Sequence, residues 1–219
     1  MNPWGKVAYS SPKEIRELQN KKLSSLIRSY VYPFSPYYRK LFDQHKIDPK
    51  AIKSVDDLKR IPLTSKHDFI ATDQQPEKFK DFILQPDKDK IRKYWPASKC
   101  ALLALTSLIK GKEFVQDQLA REFRPSFMTF TTGTTDSPIS FLYSQYDIEN
   151  LRVTGSRMVN IFDIDGADRI VNMFPYAPHL AIWQVIFGGL ASNVLIMSTG
   201  GGKVMGTDGN LKVIQKMKP

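Results

Sequence analysis

The chain has 219 residues, 42% of them hydrophobic, with 32 Lys and Arg against 22 Asp and Glu and a single cysteine. This length and apolar content exclude a disordered chain and allow one large domain or two small ones, while the lone Cys100 excludes a disulfide-stapled module or a structural zinc cluster and fits a reducing cytoplasm. The net charge of +10 raises nucleic acid or an anionic membrane as partners, yet residues 1–124 hold 25 basic and 15 acidic side chains and residues 125–219 hold seven of each, so the surplus lies wholly in the first part. The opening Met-Asn-Pro-Trp-Gly-Lys-Val has neither the apolar core of a secretory signal nor an Arg-rich transit pattern, and export is not expected.

Leu18, Leu23, Leu26, Ile27 and Tyr30 recur at helical spacing among charges and predict an amphipathic helix over 14–31, ended by Pro33 and Pro36. A short helix follows over 37–45. Ser54 ahead of Val55-Asp56-Asp57-Leu58 reads as an N-cap and first turn closed by Pro62, and Thr64 to Asp68 as a further capped turn. Residues 73–89 are polar, interrupted by proline, and read as a surface loop; 99–110 and 112–123 read as two helices split at Gly111. His45 and His67 read as surface residues.

After position 124 the character changes, and ten of the twelve glycines lie there. Strand-like 127–131 and 139–143 flank a polar turn, 147–162 is helix-like, and 169–174, 180–187, 193–197 and 210–217 suggest strand, helix, strand, helix. The expected class is therefore α/β: a mostly helical N-terminal region, 1–124, followed by an α/β subdomain, 125–219, with part of a mixed or parallel sheet flanked by helices. From Ile170 to Gly202 no residue carries a formal charge, but Pro175, Pro178, the Gly188-Gly189 pair and Asn193 interrupt the run, which suits a buried helix, turn and strand rather than a membrane span.

The segment richest in chemistry is Phe130-Thr131-Thr132-Gly133-Thr134-Thr135-Asp136-Ser137-Pro138. Four threonine hydroxyls around one glycine, directly after a strand, offer closely spaced donors on a backbone able to turn sharply, which suits phosphate oxygens. A threonine-rich hairpin turn without a ligand is the alternative. A Walker loop is excluded, because Gly202-Lys203 is followed by Val204; Gly200 to Gly206 also fails the dinucleotide fingerprint, with Met205 in place of its third glycine.

Thr131 to Pro138 resembles the Ser/Thr-Ser/Thr-Gly-Thr-Thr-Gly-Lys-Pro phosphate loop of adenylate-forming enzymes, in the branch that holds phenylacetate-coenzyme A ligase and the acyl-protein synthetases. Pro36 to Phe42, Ile47-Asp48, Ser54 to Leu58 and Ile61 to Asp68 are similar, in the same order, to that branch's N-terminal region, and Phe174 to Gly189 and Met197 to Gly202 to its substrate-side helix and glycine turn. The resemblance spans nearly the whole chain but only about the first half of such an enzyme. It implies an incomplete adenylate-forming N-terminal domain, inactive by itself, whose parent is an ATP-dependent acid-thiol ligase using ATP, Mg2+ and coenzyme A. It makes Thr131, Thr132, Gly133, Thr134 and Thr135 nucleotide contacts. It also makes Phe174, Tyr176, His179, Trp183, Gly200 and Gly201, with Gly202, candidates for the acyl side; the alternative for these is aromatics on a buried helix face and glycines in a plain turn. The implied partners are a small carboxylic acid and a nucleotide, with no catalytic residue and no metal ligand within the chain. Asp136 and Ser137 depart from the family's Gly-Lys, placing an anion where the loop has a flexible residue and removing a cation. A degenerate, non-catalytic relative and a basic polyanion-binding module are the competing readings.

Overall fold

The computed structural model describes residues 7–131 and 138–219. Thr132, Gly133, Thr134 and Thr135, with Asp136 and Ser137, lie outside the described residues. Two compact units follow one another, Met1–Gln116 and Asp117–Pro219.

In the first unit α1, Pro12–Leu26, starts two residues before the predicted boundary. Ser11 and Glu14 form a capping box, with the Ser11 N–H donating to Glu14 Oε2 at 2.7 Å, and Pro12 takes the first helical position, where its missing N–H has no partner to lose. A π-helical turn, Ile27–Val31, and a turn Tyr32–Phe34 continue it. Pro33 therefore does not end the helix, as predicted, but sits inside it. Its i−4 carbonyl, that of Ser29, receives no proline N–H and accepts the Trp95 indole N–H at 2.8 Å. The break falls at Ser35, whose extended backbone (φ −91°, ψ 115°) caps α2, Pro36–Gln44.

Ile27, Phe42 and Ile52 form the buried core of this unit, with Leu23, Val31, Tyr32, Ile47 and Ile61 packed around it. Each such side chain contributes about 1.5–3 kcal/mol by leaving water. The turns Val55–Arg60 and Lys66–Asp68 are 3-10 rather than α-helical, each opened by a capping box, Ser54 with Asp57 and Ser65 with Asp68. The predicted loop 73–89 is partly structured. Lys78–Phe82 is a 3-10 turn, and the Phe82 ring stacks between those of Tyr37 (4.1 Å) and Phe69 (3.9 Å); its apolar residues, dispersed in a polar stretch, find partners distant in sequence. α3, Lys88–Tyr94, and α4, Ala97–Lys110, follow, and Gly111 at φ +92° separates α4 from α5, Lys112–Phe123, as predicted.

In the second unit β1, Phe127–Phe130, pairs antiparallel with β2, Ser140–Tyr143. α6, Gln145–Ile161, opens on a Ser144–Asp147 capping box. β3, Arg169–Asn172, leads through α7, Leu180–Ala191, to β4, Leu195–Ser198, which pairs with β3 in parallel, Arg169 opposite Leu195 and Asn172 opposite Ser198. α8, Gly202–Met217, begins eight residues before the prediction and is broken at Gly206 (φ +66°). α6 and α7 touch through backbone: a Cβ on Gly155 would stand 2.5 Å from the Gly188 Cα. The class is α/β as expected, with the sheet present as two two-stranded ladders. The uncharged run 170–202 becomes β3, α7 and β4, and no described helix is long and apolar enough to cross a membrane.

Candidate ligand site at the strand ends of the second unit

In parallel strand-helix-strand units, the loops leaving the carboxyl ends of the strands line the crevice where ligands bind. Here those loops are 173–179 after β3 and 199–201 after β4. Gly200 and Gly201, at φ +74° and +76°, turn the chain after β4. No side chain fits at either: a Cβ on Gly200 would lie 2.5 Å from the Tyr176 ring, and one on Gly201 2.8 Å from the Met173 carbonyl oxygen. The Tyr176 hydroxyl donates to the Ser198 carbonyl at 2.8 Å, so the tyrosine lies across the glycine turn, still half exposed.

The segment leading to the threonine loop is hydrogen-bonded to the loop after β3. The Phe130 N–H donates to the Pro178 carbonyl at 2.6 Å, and His179 Nδ1 lies 3.3 Å from the Phe130 carbonyl oxygen. A carbonyl only accepts, so the ring nitrogen that meets it acts as the donor. Thr131 closes the neck of its loop: its N–H donates to the Ile139 carbonyl at 3.0 Å and its Oγ1 accepts the Ile139 N–H at 3.1 Å. Because Oγ1 accepts there, its own proton stays available to a further acceptor.

Of the residues singled out from sequence, Thr131, Phe174, Tyr176, His179, Gly200 and Gly201 therefore fall on three stretches linked by hydrogen bonds through Phe130, Pro178, Tyr176 and Ser198. Trp183 instead packs edge-on against Phe127 at 5.3 Å and beside Phe187, within an aromatic cluster of α7 and β1. Sequence reading missed Asn172, and did not single out Ser198 and Thr199 within the glycine-turn segment; all three are hydrogen-bonded at the strand ends, with Asn172 and Thr199 buried and Ser198 partly so. The available signal was an asparagine closing the strand directly after the apolar pair Ile170-Val171. Among the described residues no three His, Cys, Asp or Glu side chains are grouped to hold a metal.

The basic surplus lies elsewhere, and many of its cations serve the first unit's own structure. Arg28 donates to the Lys50 carbonyl at 2.8 Å, Arg39 to the Tyr32 carbonyl at 3.1 Å with its guanidinium over the Tyr94 ring, and Lys90 pairs with Asp87 at 3.0 Å. Lys99 stands 3.4 Å above the centroid of Trp95. The displaced carboxyl pKa values lie in the same unit. Glu14, Asp57, Asp68 and Asp87 are held below the ordinary carboxylate range, in each case first by a backbone N–H, from Ser11, Lys53, Ser65 and Lys90 respectively.

No family model matches the chain. Over 58 residues, 26% of this chain and 13% of the relative, it is 45% identical to the phenylacetate-coenzyme A ligase of Thermus thermophilus. Crystal structures of 2-hydroxyisobutyryl-CoA ligase share its fold. The complex with 2-HIB-AMP and CoA in the thioesterification state aligns with a TM-score of 0.66 at 15% identity, over 94% of this chain and 35% of that one. The postadenylation complex with R3-HIB-AMP gives 0.68 at 14%, over 95% and 36%. The chain thus has the fold of part of these ligases. It spans about a third of the length of those solved ligases.

Proposed function

We propose that the chain is part of an ATP-dependent acyl- or aryl-coenzyme A ligase of the phenylacetate-coenzyme A ligase branch, acting in the reducing cytoplasm. The observation that carries this reading is the paired contact of Phe130 with Pro178 and His179, which joins the base of the threonine loop to the loop with the acyl-side candidates. In the reaction proposed, a carboxylate oxygen attacks the α-phosphorus of ATP, the bond to pyrophosphate breaks, and a thiol, that of coenzyme A, then attacks the acyl carbon and displaces AMP. Thr131 and the following Thr132, Gly133, Thr134 and Thr135 serve as donors to the β- and γ-phosphates, and Phe174, Tyr176, His179 and Gly200-Gly201 bound the acyl group. The contribution of these residues is positioning and charge stabilisation. In this reading Mg2+ enters with the nucleotide, as the counter-ion of its phosphates.

The part alone is read as inactive, since it spans about a third of the solved ligases. A magnesium-dependent upward thermal shift with ATP, absent in Thr134→Ala, is the expected result; a full-length protein whose melting ignores ATP would contradict the reading. Asp136 and Ser137 favour a second reading, a non-catalytic relative, in which the natural sequence does not bind ATP and the double change Asp136→Gly with Ser137→Lys creates binding.

A further inference from the structure

Asn172 closes β3 and is 3% exposed. Its Oδ1 accepts the Phe174 N–H at 3.2 Å, and its Nδ2 donates to the Ile182 carbonyl at 3.2 Å and to Ser198 Oγ at 3.1 Å. Its own carbonyl accepts the Thr199 N–H at 3.0 Å. One side chain therefore ties three elements: the start of the loop after β3, the first turn of α7, and the last residue of β4. Ser198 passes the connection on, because its carbonyl accepts the Tyr176 hydroxyl, and the Tyr176 ring covers Gly200.

An apolar residue would continue the pattern set by Ile170 and Val171 and pack β3 equally well. It would leave the Phe174 N–H, the Ile182 carbonyl and Ser198 Oγ without the partner that Asn172 supplies. The asparagine at this place is thus explained by the loops and not by the strand. We propose that Asn172 is a positioning residue that fixes Phe174, Tyr176 and the Gly200-Gly201 turn as one rigid wall. On the ligase reading, on which only this last step rests, the wall faces the acyl group of the acyl-adenylate.

The test uses the whole chain labelled with 3-fluorotyrosine, with the Tyr176 resonance assigned by Tyr176→Phe. Asn172→Leu should move and broaden that resonance. Asn172→Asp, which keeps the acceptor for Phe174 but loses both donations, should also move it, and Ser198→Ala should do so least. Should Asn172→Leu fail to fold, the other two variants carry the test. The second readout is the affinity for the non-hydrolysable analogue phenylacetyl-sulfamoyl-adenosine, which should fall about tenfold in Asn172→Asp, while Asn172→Gln, retaining the amide, should restore part of it. An unmoved Tyr176 resonance in a folded Asn172→Asp variant overturns the proposal, and so does a moved resonance with unchanged affinity. If the unsubstituted chain does not bind the analogue, the assignment of this wall to the acyl group fails, and the Tyr176 resonance alone decides whether Asn172 holds the wall.

Discussion

Met1–Gln116 and Asp117–Pro219 are nearly equal in length, yet they are organised by opposite devices. The first joins short helices and 3-10 turns, many of them started by a serine or aspartate cap, around Ile27, Phe42 and Ile52 and a set of stacked rings. The second brings backbones into contact through glycine, at Gly155 against Gly188 and at Gly200 under Tyr176, and places polar side chains at strand ends. The first unit carries 23 basic and 13 acidic residues and so the entire surplus; the second carries nine of each. Yet the loops suited to an anionic ligand are in the neutral unit. The net charge does not by itself mark a ligand site, because many of those cations are engaged with carbonyls, rings and carboxylates of their own unit.

The contrast can be broken most strongly at the first core. Phe42→Ala removes a ring with 0% exposure and should cost about 3–5 kcal/mol, read as a lower denaturant midpoint with amide exchange accelerated in Met1–Gln116. A cost below about 1 kcal/mol would mean that Phe42 does not anchor that core. Gly155→Ala should come next, at about 1–3 kcal/mol, because the added methyl meets the Gly188 backbone; its exchange signature should fall in α6 and α7. An unchanged midpoint would remove close backbone contact as the organising device of the second unit.

Acid should sharpen the contrast more gently. The caps Glu14, Asp57, Asp68 and Asp87 have folded pKa values below their unfolded ones, so the folded state binds fewer protons. The stability they add is therefore fully present above about pH 4 and is lost as pH falls through the lowered values. Met1–Gln116 should loosen progressively in that window, and Asp57→Asn should flatten the slope of stability against pH. An unchanged slope in that variant would show that the Lys53 and Ser54 amides do not hold its carboxylate.

Much of this was legible in sequence because it is local. The Ser54 cap, the split at Gly111 and the alternation of strand and helix after position 124 depend on neighbours a few residues apart. Pro33 was misjudged because the group that compensates for it, the Trp95 indole, lies 62 positions away. Residues 73–89 looked like loop because Phe82 finds Tyr37 and Phe69 only in the folded unit. The candidate site was visible as a motif, Thr131 to Pro138, and as glycines after a strand. Asn172 was not, since an asparagine closing a strand marks a polar strand end without showing what it holds; its role is set by Ile182 and Ser198, which the crossover through α7 brings beside it.

The central claim is that the neutral unit, not the basic one, receives the nucleotide, and hydrogen exchange with and without Mg-ATP tests it most directly. Protection should appear in the peptides covering 131–138 and 198–201, disappear in Thr134→Ala, and leave 1–116 unchanged. Protection confined to 1–116 and falling steeply with added salt, as for a polyanion on a basic surface, would contradict the account.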